Sequence, residues 1–109
     1  MNSEPHIAFE QVVLERSHQR PVIALFGATW FSPCRVLTTT LESLHRERPT
    51  LFDLVLVDTE HEFVLAERLG IRGIPRLQLF VDGVMTAELQ GFRPAADVRE
   101  FLDLHLRGR

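Results

Sequence analysis

The single cysteine of this 109-residue chain, Cys34, is the side chain best suited to nucleophilic or redox chemistry. It ends the pentapeptide Trp-Phe-Ser-Pro-Cys at residues 30–34. A thiolate can form a mixed disulfide, but an internal disulfide requires a second sulfur. One cysteine therefore excludes both an internal disulfide and a Cys-x-x-Cys couple. The basic residues are all arginine and there is no tyrosine, which excludes a lysine Schiff base and a tyrosine acid.

The histidines and acidic residues lack the spacing of a metal motif. No pair of histidines has the i, i+4 spacing of a zinc helix, so we expect solvated surface side chains at His6, His18, His45, His61 and His105. Asp58, Glu60 and Glu62 are similar to a calcium loop, but its glycine and final glutamate are misplaced, and helix N-terminal acidity explains them better. A phosphate loop and a serine nucleophile elbow are also missing. We therefore predict neither a metal nor a cofactor.

Length and composition indicate one globular domain over residues 1–109. The hydrophobic fraction of 45% and the charged fraction of 25% are ordinary values, which argues against disorder. A net charge of -3 gives no basic surplus for nucleic acid or anionic lipid. The apolar stretches are too short for a membrane helix, and residues 1–6 show no secretory signal. We expect a soluble cytoplasmic domain without a nucleic-acid or membrane partner.

The elements that position Cys34 begin with an amphipathic helix and a strand. Residues 7–18 place on one helical face Ile7, Phe9, Val12, Val13 and Arg16. After Pro21, the continuous apolar run Val22–Gly27 predicts a strand buried on both faces. Ser32 then suits the N-cap and Pro33 the first turn of a second helix. That helix is expected to end near Arg48, with an apolar face made of Val36, Leu37, Leu41 and Leu44.

The second half of the chain predicts a strand, a helix, a hairpin and a last helix. Residues 52–57 read as a second central strand that ends at Asp58. Residues 60–69 read as a helix closed by Gly70, with its inward side formed by Phe63, Leu65, Ala66 and Leu69. Residues 76–81 and 84–89, separated by Asp82-Gly83, predict an antiparallel hairpin. Pro94 opens a helix whose buried side holds Val98, Phe101, Leu102 and either His105 or Leu106. This order predicts an α/β fold with a mixed sheet and helices on both faces.

Four motifs in this order resemble the thioredoxin family. They are the tryptophan-led loop at residues 28–35, the segment Gly-Ile-Arg-Gly-Ile-Pro at residues 70–75, the hairpin at residues 77–83, and Gly91 ahead of the last helix. The resemblance runs from about Glu10 to Leu106. It implies a thioredoxin fold with about four strands, a C-terminal hairpin and a cis peptide bond at Pro75.

The resemblance also implies that this chain lacks the attacking thiol of the family. In that family a first cysteine attacks from the helix N-terminus, and a second, three residues later, resolves the mixed disulfide. Phe31 stands at the attacking position, and Cys34 stands at the resolving position. Leu25 and Leu56 stand where the family commonly has a buried aspartate and its lysine partner, so the proton relay is also replaced by apolar side chains.

Four features of the site allow two interpretations each. The bend at Pro75 either leaves the Ile74 backbone groups free to bind an extended peptide or only completes a corner of the sheet. Phe31 either forms an exposed recognition platform beside Trp30 or folds onto Pro75 and closes the former active site. Cys34 is either an accessible functional thiol or a small buried hydrophobe. Arg76 either contacts an acidic partner or is solvated.

The leading functional hypothesis is a thioredoxin-like protein that is inactive as a dithiol and binds a protein or peptide in a chaperone-like or assembly role. The partner-binding groove is expected at Trp30, Phe31, Ile74, Pro75 and Gly91, where the family binds extended peptides by strand-like hydrogen bonds. The alternative is a monothiol protein in which Cys34 forms mixed disulfides or glutathione adducts in cell redox homeostasis. A third interpretation is an assembly of identical chains in which the apolar loop is buried against its own copy.

Overall fold

A four-stranded mixed sheet forms the centre of the protein in the computed structural model, which describes residues 6–106. The expectation about a secretory signal falls almost wholly on residues 1–5, which lie outside the described residues. The strands are β1 (Val22–Gly27), β2 (Asp53–Asp58), β3 (Arg76–Val81) and β4 (Val84–Gln90). Their order is β2-β1-β3-β4, with β1 parallel to β2 and the other pairs antiparallel. The predicted α/β class and mixed sheet are confirmed.

Strand β2 lies at the edge of the described sheet and not at its centre, which corrects the sequence prediction. Its residue Leu56 pairs with Leu25 of β1 and is 43% exposed. Leu25 has a neighbour on both sides, because it also pairs with Leu77 of β3, and it is buried. Both strands are apolar runs, so hydrophobicity alone does not distinguish an edge strand from a central one.

The Asp82-Gly83 turn connects β3 and β4 as predicted. Both turn residues have positive φ, 53° at Asp82 and 82° at Gly83, as a tight hairpin of this kind requires. Ser17 holds this turn from outside the hairpin. Its carbonyl accepts the Asp82 N–H at 3.0 Å, and its hydroxyl accepts the Gly83 N–H at 2.7 Å.

The N-terminal helical segment departs from the regular α-helix that the periodicity predicts. It consists of a π-helix, Glu10–Glu15, and a 3-10 turn, Arg16–His18. The buried positions follow a spacing of four residues and are Phe9, Val13 and Ser17. A π-helix has more residues per turn than an α-helix. Val12 and Arg16 therefore lie outside this face and are exposed.

Helix α1 (Ser32–Glu47) begins directly after Phe31. Ser32 is its first residue and makes no capping hydrogen bond, so the predicted serine cap is wrong. Pro33 lies within the first turn, as expected. The buried face is Cys34, Leu37, Leu41 and Leu44. Val36 points away from this face and is exposed, because it lies two residues from Cys34 on a helix of 3.6 residues per turn.

Helix α2 (Phe63–Arg68) is shorter than predicted, and only Leu65 and Ala66 are buried. Phe63, the first residue of α2, and Leu69, which follows its last residue, are both exposed. Gly70 closes the helix as predicted, with φ of 72° and an N–H that donates to the Glu67 carbonyl at 3.1 Å.

Helix α3 (Ala95–Leu106) packs through a face that matches the prediction, with Leu106 and not His105 at its last buried position. Helices α1 and α3 cover one face of the sheet, and the N-terminal segment and α2 cover the other. The expected helices on both faces are confirmed. Within residues 6–106, no helix is both long and apolar enough to span a lipid bilayer.

Candidate functional site

The loop between β1 and α1 brings Trp30, Phe31 and Cys34 to one end of the sheet. The Phe31 N–H donates to the Ala28 carbonyl at 3.2 Å, which closes the loop. The Phe31 carbonyl accepts the N–H groups of Cys34 at 3.0 Å and of Arg35 at 3.2 Å. Residue 31 therefore stands directly at the N-terminus of α1, where the resemblance places the attacking thiol.

Trp30 and Phe31 form an aromatic pair at this end of the sheet. Their ring centroids lie 5.6 Å apart at an interplanar angle of 50°. Trp30 is 63% exposed, and its indole Nε1 donates to Glu60 Oε2 at 2.6 Å. Phe31 is half-buried. The contact with Trp30 fits the exposed-platform interpretation of Phe31. Glu60, which the sequence analysis assigned to helix N-terminal acidity, instead positions the Trp30 indole.

Cys34 is only 3% exposed, which favours the buried-hydrophobe interpretation over an accessible thiol. Its side chain packs directly against the backbone of Gly27 in β1. A methyl group on Gly27 would lie 2.9 Å from Cys34 Sγ and 3.0 Å from its Cβ, which is too close for either pair. A glycine at residue 27 is therefore required for this close approach of α1 to β1.

Cys34 lines a mainly apolar pocket of about 360 Å³. Leu25 and Leu56, which are neighbours in the β1–β2 register, lie in its wall. The remaining wall residues are Gly27, Ala28, Thr29, Arg35, Thr38, Thr39, Val57 and Asp58. The two leucines thus lie together near Cys34, and neither offers a group that could accept its proton.

The Ile74–Pro75 peptide bond is cis. Pro75 is buried and Ile74 is half-buried. The Pro75 carbonyl accepts the Gly91 N–H at 2.8 Å, and Gly91 has φ of 79°, a conformation that favours glycine. The structure therefore joins Pro75 and Gly91 directly, although they are separated by the whole hairpin.

Arg76 contacts an acidic residue, but one in its own chain, and the solvated interpretation is wrong. Its side chain is 15% exposed, and Nη1 donates to Glu88 Oε2 at 3.0 Å. Gln78 Nε2 donates to the same oxygen at 2.9 Å. The hydrogen bond from Gln78, followed by the Arg76 guanidinium, lowers the pKa of Glu88 against the opposing effect of burial. This pairing is cross-strand, so no local pattern reveals it.

The acidic residues at positions 58, 60 and 62 do not act together at a helix N-terminus, which corrects the sequence interpretation. Asp58 Oδ1 accepts the N–H of Glu60 at 2.9 Å, while the Glu60 carboxylate accepts the Trp30 indole N–H. Glu62 is buried, and its Oε2 accepts the N–H of Ile7 at 2.9 Å.

The expectation of solvated histidines is wrong for His61. Its side chain is largely buried, and its ring stacks on His6 with a centroid distance of 4.8 Å. His6 Nδ1 lies 3.2 Å from Glu62 Oε1. Because these residues are separated by more than fifty positions, their spacing in the sequence does not indicate the cluster.

The chain is similar to thioredoxins over most of its length. The family profile described as Thioredoxin matches residues 3–104. Thioredoxin 1 of Synechococcus elongatus is 34% identical over 98 residues, which cover 90% of each protein. Thioredoxin of Bacillus subtilis is 28% identical over 99 residues, which cover 91% of this chain and 95% of the relative.

Solved thioredoxins have the same fold. A mutant thioredoxin from Halobacterium salinarum superposes with a TM-score of 0.75 at 25% identity, covering 86% of this chain and 82% of the other. The Fasciola hepatica thioredoxin superposes with a TM-score of 0.79 at 23% identity, covering 89% and 90% respectively. The fold predicted from the four motifs is therefore confirmed.

Proposed function

This chain belongs to the thioredoxin family, and we propose that it binds an extended segment of another protein without exchanging a dithiol. The binding groove of this proposal is formed by Trp30, Phe31, Ile74, Pro75 and Gly91. The observation that carries it is the pairing of a phenylalanine at the attacking position with a Cys34 that is almost fully buried.

Dithiol exchange needs two sulfurs that alternate between two thiols and one disulfide. The attacking thiolate opens the substrate disulfide, and a second thiol in the same protein then displaces the reduced substrate. With one cysteine the second step has no nucleophile inside the chain. Reduction of a substrate disulfide by this chain alone therefore stops at a mixed disulfide.

The groove retains features that suit peptide binding. Trp30 presents an exposed indole whose orientation is held by Glu60. Beside Ile74, a cavity of about 500 Å³ is also lined by Phe63, which is exposed. Exposed apolar side chains in one region commonly mark an interaction surface. A peptide binding there needs backbone hydrogen bonds and apolar contacts, neither of which involves a thiol.

Affinity capture with matched variants tests this proposal. We expect wild type and Cys34→Ser to retain the same proteins from a native lysate, because the thiol does not contribute to binding. Trp30→Ala is expected to lose them, while Leu104→Ala keeps them, because Leu104 is equally apolar and exposed but lies on α3. Loss of the shared proteins in Cys34→Ser would contradict the proposal. Insulin reduction with a thioredoxin reductase, at a rate near that of a dithiol thioredoxin, would also contradict it.

The alternative function is that of a monothiol protein, and the pocket beside Cys34 favours it because the thiol lines that pocket. Its thiolate would attack oxidised glutathione, form a protein–glutathione disulfide and release one glutathione thiolate. Intact mass after mild treatment with oxidised glutathione distinguishes the two functions. An adduct on the native protein supports the monothiol function, whereas modification only after denaturation supports the binding function.

The other occupant that would suit the groove is a second copy of the chain. Sedimentation at micromolar concentration separates this case from binding to another protein. A dimer that dissociates on Trp30→Ala would identify the groove as a self-association surface.

A further inference from the structure

We propose that His6, His61 and Glu62 bind a divalent transition-metal ion, with Zn²⁺ as the ion that suits them best. The three residues lie outside the groove described above, so this inference is independent of the proposed function. Each offers one ligand atom, and the three atoms all lie within 4.8 Å of one another.

The distances already approach those of a metal site. His6 Nδ1 is 3.2 Å from Glu62 Oε1, and His61 Nε2 is 3.9 Å from Glu62 Oε2. Zn²⁺ binds nitrogen and oxygen at about 2.0–2.2 Å, so ligand atoms of a tetrahedral site lie about 3.3 Å apart. One distance in the cluster already has this value, and small side-chain rotations would shorten the others.

The burial of the Glu62 carboxylate favours the binding of a cation at this cluster. Its side chain is 5% exposed, and Oε2 accepts the Ile7 N–H at 2.9 Å. A buried carboxylate is costly unless hydrogen bonds and a positive charge compensate it. A divalent ion bound to Oε1 would supply that charge, while the Ile7 N–H continues to orient the carboxylate from the other oxygen.

The three ligands differ in exposure in a way that suits metal capture. Glu62 and His61 are largely buried and adjacent in sequence. His6 is mostly exposed, and its ring lies over His61 with an interplanar angle of 25°. The exposed ring can rotate toward an ion held by the other two residues.

The donor set indicates which ion would bind. Two imidazoles and one carboxylate are ligands that Zn²⁺ commonly takes, and three protein ligands leave a fourth position for water. Copper and nickel also accept imidazole, whereas calcium and magnesium prefer oxygen ligands. The bound ion would connect residue 6 to the start of α2 and stabilise the packing of the N-terminal segment.

Calorimetric titration of the untagged chain with ZnCl₂ tests the proposal. We expect one Zn²⁺ per chain, a higher Tm with Zn²⁺ than without, and, for Co²⁺, the visible absorption of a tetrahedral site. His6→Ala and His61→Ala are each expected to weaken binding at least tenfold, roughly the loss that even an outer-shell change causes. Glu62→Gln keeps the shape of the buried side chain and is expected to weaken binding as strongly.

His18→Gln is the matched control, because His18 is about as exposed as His6 and lies at the hairpin turn. It is expected to bind Zn²⁺ like wild type. His6→Ala changes only an exposed side chain, so we expect this variant to fold, which its amide NMR spectrum can verify. It therefore tests the proposal even if Glu62→Gln unfolds. No binding by wild type at about 1 mM Zn²⁺, roughly a thousand times a micromolar Kd, overturns the proposal. Unchanged binding in His6→Ala and His61→Ala, or equal loss in His18→Gln, also overturns it.

Discussion

The residue type at position 31 limits the chemistry of the loop between β1 and α1 in this thioredoxin-family chain. The position at the N-terminus of α1 carries an aromatic ring in contact with Trp30 instead of a sulfur. Three residues later, the buried Cys34 packs against Gly27 of β1 and lines a pocket together with Leu25 and Leu56. The thiol therefore contributes to the packing between helix and strand, as a buried hydrophobe does.

Restoring the attacking thiol by Phe31→Cys is expected to allow a disulfide with Cys34 but not efficient turnover. The two relay positions offer Cys34 no proton acceptor, because they are occupied by Leu25 and Leu56. We expect both thiols to disappear from a thiol titration after oxidation, with insulin reduction far slower than that of a dithiol thioredoxin. Phe31→Ser is the control without a new sulfur. Full turnover in Phe31→Cys alone would show that the leucine pair does not limit exchange.

Gly27→Ala is expected to destabilise the fold, because the added methyl group meets both Sγ and Cβ of Cys34. Overpacking of this kind costs about 1–3 kcal/mol, measurable by urea unfolding. Combining it with Cys34→Ala removes the Sγ contact and should restore part of the loss. Gly73→Ala is the matched control, because a methyl group there meets nothing within 4 Å. Equal effects at Gly27 and Gly73 would rule out the steric explanation.

At the scale of the elements, Ser17 connects the N-terminal segment to the β3–β4 hairpin. Its hydroxyl donates to the Leu14 carbonyl at 2.6 Å and accepts the Gly83 N–H at 2.7 Å. The side chain is buried, so these two hydrogen bonds lie away from solvent. The hairpin turn is thus stabilised both by residues that adopt positive φ and by hydrogen bonds to Ser17, which is far away in the chain.

Ser17→Ala is expected to lower the free energy of unfolding by about 1–3 kcal/mol, since it leaves the Gly83 N–H without its acceptor. Ser32→Ala is the control, because Ser32 is exposed and makes no capping hydrogen bond. Its effect should stay within about 0.5 kcal/mol. A loss near 1 kcal/mol at Ser32 would instead indicate a cap that forms in solution.

The cross-strand pairing of Glu88 predicts a dependence of stability on pH. Its pKa is lower in the folded protein than its ordinary value of 4.5, first through Gln78 and then through Arg76. A carboxyl group with a lowered folded pKa stabilises the fold above its unfolded pKa, and this contribution disappears as the pH falls through the folded pKa.

We therefore expect Glu88→Gln to be less stable than wild type near neutral pH and to lose less stability on acidification. The Tm values of the two proteins, measured at each pH, should converge as the pH falls below 4.5, the ordinary carboxyl pKa, and through the lower folded pKa of Glu88. Glu42→Gln, at an exposed position of α1, controls for the loss of one negative charge. A constant difference between Glu88→Gln and wild type across this range would contradict the assignment.

At the scale of the molecule, one sheet carries a hydrophobic core on each face. Leu79 belongs to the core beneath α1 and α3, and Phe26 belongs to the core beneath the N-terminal segment and α2. Because both cores share the same strands, neither can be lost while the other remains intact.

The shared sheet predicts a single cooperative unfolding transition. Fluorescence of Trp30, which is the only tryptophan, should report the same midpoint as far-UV circular dichroism. Leu79→Ala and Phe26→Ala, in opposite cores, should each shift both probes together, with losses of about 2–5 kcal/mol. Two separate transitions, or a shift seen by one probe alone, would show that the two faces unfold independently.

The amino-acid sequence alone predicts the loss of the second thiol and most of the local structure. A missing second cysteine follows from counting residues, and the Asp82-Gly83 turn and the closing Gly70 follow from backbone preferences of single residues. Such features depend on neighbouring positions, which the sequence displays directly. Val36 was predicted on the apolar face of α1 but is exposed, because an apolar residue type does not by itself indicate which side of a helix the residue occupies.

Contacts between distant segments become visible in the folded protein. The edge position of β2, the Trp30–Glu60 hydrogen bond and the approach of His6 to Glu62 each join residues that are far apart in the chain. Helix and strand periodicity fixes the direction of a side chain relative to its own element. The partner it meets depends on how elements pack against one another, and that packing arises from the burial of all apolar faces at once.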